Sequence, residues 1–132
     1  MSAQKASMKQ KAFNDNREEI VRQVVAAMQE KKAKDIVSLD LSALPDAVAG
    51  YFVICHGTSK TQVEAIYDYV DEMVTKNCGE HPYHREGYEN AEWILIDYVN
   101  VVVHIFLEET RKFYNLEGLW ADAKKISYNS DE

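Results

Sequence analysis

The sequence predicts an α/β (α+β) chain, a mixed β-sheet flanked by helices and folded as one domain. Three observations carry that expectation. Strand-like and helix-like periodicities alternate along the chain. A continuous apolar run, Tyr51-Phe52-Val53-Ile54-Cys55, leads through a tight turn into an amphipathic helix. Two later apolar runs, at 92–97 and 101–106, lie close enough to pair as a hairpin. With 132 residues, 46% of them hydrophobic, the chain can bury a real core.

The first helix is expected to start at Asn14-Asp15-Asn16. These capping side chains precede Glu18 and Glu19, acids that suit the positive end of the helix dipole. Ile20, Val21, Val24, Val25 and Met28 then form one apolar stripe. Residues 1–13 read as a flexible N-terminal tail, 14–127 as the domain and 128–132 as a polar C-terminal tail. Residues 35–41 are β-like, and Ala43-Leu44-Pro45-Asp46 breaks that run.

The run 51–55 should be a strand buried on both faces. It ends at His56-Gly57-Thr58-Ser59, and Ser59 with Gln62 forms a capping box. Val63, Ile66, Tyr67, Val70, Met73 and Val74 give the next helix its buried side, and Gly79 is placed for a left-handed cap. Residues 80–90 read as a polar loop. Between the hairpin strands, Tyr98-Val99-Asn100 must turn the chain, with Asn100 the expected left-handed residue.

Charge and cysteine content narrow the function. Fifteen basic against twenty-two acidic residues give −7, a poor balance for binding nucleic acid and a good one for meeting a basic protein. Cys55 and Cys78 are too few for a disulfide framework, so a reducing cytoplasmic setting is expected. No stretch is apolar enough for a membrane span or a secretory signal core. Lys5, Lys9 and Lys11 near the start, without arginine, suit a solvated tail better than a transit segment.

Several residue groups could carry chemistry. The turn Gly57-Thr58-Ser59 lies at a strand end and a helix start, where α/β proteins hold anions, but it lacks the further glycine and the lysine of a phosphate loop. Nucleotidyl transfer would also need paired carboxylates for metal, and Asp97 stands without one two residues before it. Cys78, His81 and His84, with Cys55 or His56 as a fourth ligand, lack the paired framework of a zinc site, and no metal or other cofactor is expected. His104 has no nucleophile elbow to serve, so no catalytic residue is expected. Trp93, Tyr98, Arg111, Tyr114 and Trp120 are of types enriched at interface hot spots. Trp93, Leu95 and Asp97 share one strand face, which suits a partner surface as well as a core.

These residues also carry a family resemblance. From about Asp35 to Ile126 the chain resembles the ribosomal silencing factor family, also called Iojap-related. The matching motifs include Asp35-Ile36-Val37, Tyr51-Phe52-Val53-Ile54, Gly57-Thr58-Ser59 with Gln62, and Glu86-Gly87. They continue through Trp93-Ile94-Leu95-Ile96-Asp97-Tyr98, Val101-Val102-Val103-His104-Ile105-Phe106, Arg111, Phe113-Tyr114 and Leu119-Trp120. The resemblance implies a nucleotidyltransferase-like fold without its catalytic carboxylates, and a non-enzymatic role. It implies binding to the large ribosomal subunit through ribosomal protein number fourteen, steric block of subunit joining, repression of translation and, often, homodimers. Trp93, Leu95, Asp97 and Tyr98 are then the partner-facing positions, with His104 and Arg111 as further candidates. Two positions depart from the family pattern: Gly50 replaces an acidic residue, and Val99 replaces a glycine in the hairpin turn. The nucleotide-binding or nucleotidyltransferase-like alternative would use Gly57-Thr58-Ser59.

Overall fold

A computed structural model of the chain describes residues 2–45, 47 and 49–128, with side chains from Asn16 onward. Helix α1 (Ser2–Glu30) precedes strands β1 (Lys34–Asp40) and β2 (Tyr51–Gly57). Helix α2 (Lys60–Cys78) leads to β3 (His84–Glu86), β4 (Trp93–Asp97) and β5 (Val101–Leu107). Two short helices, α3 (Glu108–Tyr114) and α4 (Leu116–Leu119), connect to β6 (Lys124–Tyr128). The strands form one six-stranded sheet in the order β3-β4-β5-β2-β1-β6. Only β2 and β5 run parallel, so the sheet is mixed, as the sequence predicts.

Two apolar clusters lie on the two faces of this sheet. On one face, Val53, Cys55, Ile94, Ile96, Val103 and Ile105 pack against α1 and α2. The stripes supplying the helix side are Ile20, Val24 and Met28 from α1 and Val63, Ile66, Val70 and Val74 from α2. On the other face Val37, Leu39, Phe52, Ile54, Val102 and Phe106 form a smaller cluster. Leu116 and Trp120, from the segment after β5, pack over it only in part.

The α2 unit matches its expectation closely. The Ser59 hydroxyl accepts from Gln62 N–H at 3.1 Å, and Gly79 closes the helix at φ 67°. Gln62 Oε1 accepts from Thr58 N–H at 2.8 Å, one residue before the expected capping-box donor. Gln62 Nε2 donates to the carbonyls of Lys31 and Lys32, tying the end of α1 to the start of α2.

Four expectations change. Helix α1 begins at Ser2, ahead of the start expected at Asn14-Asp15-Asn16. Ala, Lys, Gln and Met dominate that stretch, and their helix propensity outweighs the capping signal at Asn14–Asn16. The loop at 80–90 contains β3, which pairs with β4. Tyr128 belongs to β6 opposite Ile36, and its hydroxyl lies 2.8 Å from Ser38 Oγ; the rest of the 128–132 tail lies outside the described residues. In the hairpin turn, Val99 takes the positive φ, 76°, in place of Asn100. Asn100 N–H donates to Tyr98 O at 3.0 Å, a three-residue turn that is strained for a β-branched residue. Asp97 holds it there, its Oδ1 accepting from Val99 N–H at 2.7 Å.

Candidate functional site

Antiparallel register sets which side chains meet. Trp93 lies opposite Phe106, Leu95 opposite His104 and Asp97 opposite Val102, all on the face away from α1 and α2. Their half-buried side chains form the open part of that face. The Trp93 ring is tilted against Phe106 at 4.8 Å and against Tyr114 of α3 at 5.0 Å. Phe113, edge-on to Tyr114 at 5.0 Å, is 80% exposed and extends the aromatic surface into solvent. Leu119, at the end of α4, is 75% exposed.

His104 lies beneath this surface, 4% exposed. Trp93 Nε1–H donates to His104 Nδ1 at 3.0 Å, so the neutral ring carries its proton on Nε2. That Nε2 is buried without a hydrogen-bond partner among the described residues, and the Phe52 ring meets the imidazole edge-on at 4.7 Å. Burial pushes the His104 pKa down to about 4, so it stays neutral near pH 7. Its geometry positions Trp93. The indole N–H is already engaged, and what Trp93 offers a partner is its ring.

Asp97 is partly engaged as well. Its Oδ1 holds the Val99 turn, and its other oxygen has no hydrogen-bond partner among the described residues. A cation approaching the rim of the face would meet that oxygen.

The structure separates two predicted residues from this group. Tyr98 shares strand parity with Ile94 and Ile96, so it turns to the helix side and is buried in the larger core. Arg111 is buried in the middle of α3, where Nε and Nη2 grip the Glu117 carboxylate at 3.1 and 3.0 Å. Its Nη1 lies 2.9 Å from His56 Nδ1 and 3.4 Å from Lys34 O. Arg111 therefore fastens α3 and α4 to the ends of β1 and β2. Burial, then the neighbouring guanidinium, lowers the His56 pKa, which keeps that nitrogen free to accept.

Sequence reasoning missed Phe113 and Leu119 as exposed groups. A signal existed, since adjacent residues on a helix cannot share a face and Phe113-Tyr114 must leave one ring outward. Parity along 93–98 likewise separates Tyr98 from Trp93, Leu95 and Asp97.

The other candidate groups are placed as follows. At the Gly57-Thr58-Ser59 turn, Gln62 Oε1 accepts from the Thr58 N–H and the Gln62 backbone N–H donates to the Ser59 hydroxyl, so the helix start is capped by the chain's own groups. Among the described residues no three His, Cys, Asp or Glu side chains are grouped to hold a metal. His84 instead meets Glu86 at 2.7 Å. Desolvation pushes the buried Cys55 thiol up to about 12, leaving it an inert core group. Among the described residues no helix is long and apolar enough to cross a membrane.

Comparison with known proteins places the chain and its fold in a family. The sequence model described as "Ribosomal silencing factor during starvation" matches residues 14–132. A protein of Bacillus subtilis named Ribosomal silencing factor RsfS is 42% identical over 108 residues, covering 82% of this chain and 90% of its own length. A chloroplastic Iojap protein of Arabidopsis thaliana is 32% identical over 76 residues, covering 58% of this chain and 31% of its own. The crystal structure of protein CV0518 from Chromobacterium violaceum superposes with a TM-score of 0.74 at 33% identity, covering 86% of this chain and 92% of that one. With the family model, the relatives and the fold agreeing, the chain belongs to the ribosomal silencing factor family.

Proposed function

We propose that the chain silences ribosomes by binding the large subunit through its ribosomal protein number fourteen and blocking the approach of the small subunit. The observation that carries this reading is the open sheet face, where Trp93, Leu95 and Asp97 stand beside the exposed rings of α3. Aromatic anchors beside a half-free carboxylate suit a basic ribosomal protein. The acidic balance of −7 steers such an encounter. The mechanism needs affinity and bulk, with no bond made or broken, and therefore no catalytic residue or cofactor. Translation falls because subunits cannot join. The setting is the cytoplasm, and a second copy of the chain is a further partner of the proposal.

Within this reading Trp93 is the anchor and Leu95 its apolar neighbour, and Asp97 pairs a lysine or arginine. His104 acts by holding the Trp93 ring. Tyr98 and Arg111 act indirectly, Tyr98 by backing the hairpin and Arg111 by fixing α3.

Sedimentation of the purified protein with separated ribosomal subunits tests the proposal. Co-migration with the large subunit, and fewer joined ribosomes when small subunits are added, is the expected result. Protein left at the top of the gradient would sink it. Trp93→Ala should weaken large-subunit binding by about 2 kcal/mol or more, read by a binding titration on protein first shown to be folded. Titration with a nucleoside triphosphate and magnesium tests the enzyme alternative, and turnover there would replace the silencing reading.

A further inference from the structure

The net charge conceals an uneven distribution. Acids dominate α2 and the segment around β3, with Asp68, Asp71, Glu72, Glu86 and Glu89. Of the four residues from 31 to 34, where α1 gives way to β1, three are exposed lysines: Lys31, Lys32 and Lys34. The Lys31 ammonium rests over the Tyr69 ring, 4.8 Å from its centroid. Glu30 and Asp35 flank the tract, yet among the described residues no carboxylate comes within 4.0 Å of any of the three lysines. The other lysines near this end are paired, Lys60 with Glu92 and Lys112 with Glu108, each at 3.6 Å.

The backbone keeps these side chains against local preference. Ala33 N–H donates to Met28 O at 2.9 Å and Lys32 N–H to Gln29 O at 3.0 Å, a closure of α1 that turns residue 32 left-handed. Lys32 takes that conformation at φ 60°, where glycine is the common choice. Asp35 is left-handed as well, at φ 48°, and the pairing of β1 with β2 shifts register between Lys34 and Val37. Irregular pairing of this kind re-aims the side chains beside it. Both left-handed residues are exposed, so no burial in the core compensates for their strain. Strain kept at exposed positions on either side of Lys34 points to a use for the charges there.

The tract also adjoins the proposed contact face. Arg111 Nη1 of α3 lies 3.4 Å from Lys34 O, and Phe113, two residues further along α3, is exposed. On the other side, Gln62 Nε2 donates to the carbonyls of Lys31 and Lys32 and fixes the tract to the start of α2.

We propose that Lys31, Lys32 and Lys34 contact an RNA phosphate backbone beside the protein patch gripped by the aromatic face. The inference rests on the ribosomal reading, which brings a chain of net charge −7 against an assembly rich in RNA. A uniformly acidic surface would be repelled there. A lysine tract at one end orients the approach and releases counterions from the phosphates it meets. Such contacts position the protein and read no base sequence.

Amide NMR of the full chain, titrated with an RNA duplex of about twelve base pairs at about 50 mM salt, is the first test. Saturable shifts centred on residues 31–34 are expected. Lys34→Ala should weaken RNA binding about threefold and reduce the salt slope by about one. Lys32→Gly should raise the melting temperature while weakening RNA binding, opposite signs that a structural role alone would not produce. Lys76→Ala removes the same charge in the last turn of α2 and should leave RNA binding unchanged. In a second titration Lys34→Ala should weaken binding to large subunits while isolated ribosomal protein fourteen is bound as before. No saturable shift at the tract, equal loss in Lys76→Ala, or a polyglutamate peptide bound as tightly as the RNA would overturn this proposal and leave the ribosomal reading standing. RNA shifts at the tract with no binding to large subunits would support the lysine contact and overturn the ribosomal reading instead.

Discussion

The two faces of the sheet are closed by different means. Under α1 and α2, two long helices meet a surface of Val, Ile and Cys, and most of those side chains see no solvent. On the other face, α3 and α4 are short, the cluster is aromatic, and Trp93, Leu95 and Trp120 remain half open. The first face holds the fold together by burial. The second is shaped by directed contacts, such as the Trp93–His104 hydrogen bond and the Arg111–Glu117 fork, and leaves ring surface available. The stabilising core and the proposed contact surface therefore lie back to back on one sheet, and substitutions should divide along that line.

The largest expected effect is on the closed face. Ile66→Ala removes a fully buried side chain between α2 and the sheet and should cost about 2–5 kcal/mol of stability in a denaturant titration. A cost below about 1 kcal/mol would mean that face is less tightly packed than described.

Acid should act on the open face. His104 and His56 both titrate below the ordinary histidine value in the folded chain, so the unfolded chain binds more protons as pH falls. Stability is then fully present above pH 6.5 and falls as pH drops toward about 4, by about 3 kcal/mol for His104. His104→Gln, which keeps an acceptor for Trp93, should flatten that acid limb in melts taken across the pH range.

Val99→Gly sharpens the contrast at the turn joining β4 to β5. Removing the side chain at φ 76° should stabilise the protein by about 1 kcal/mol, measured by thermal melts. The smallest stability change belongs to Phe113→Ser. Its exposed ring should be lost with less than about 0.5 kcal/mol of cost, while large-subunit binding weakens. Unchanged binding would remove the α3 rings from the proposed contact surface.

Legibility followed the same division. The α2 unit could be read because its cap, stripe and stop signal are all local, and strand parity sorted Trp93, Leu95 and Asp97 from Ile94 and Ile96. Edge strands β3 and β6 could not. His84–Glu86 and Lys124–Tyr128 are short and mostly exposed, and they become strands through their neighbours. Arg111 looked like a contact residue because its partners, Glu117, Lys34 and His56, are assembled only by the fold. Val99 was obscured by the turn preference of Asn100, which the Asp97 carboxylate overrides.

The parallel pairing of β2 with β5 also bears on how the chain reaches this state. Tyr51 lies beside Val101, a closure of fifty residues, whereas β4 and β5 are joined by a short turn. During synthesis β2 emerges long before its parallel neighbour, with β1 as the only adjacent strand yet made. Its apolar run Phe52-Val53-Ile54-Cys55 then has one unpaired edge until residue 101 and beyond are released. Folding rate and aggregation in the cell should therefore be governed by how quickly that central seam closes.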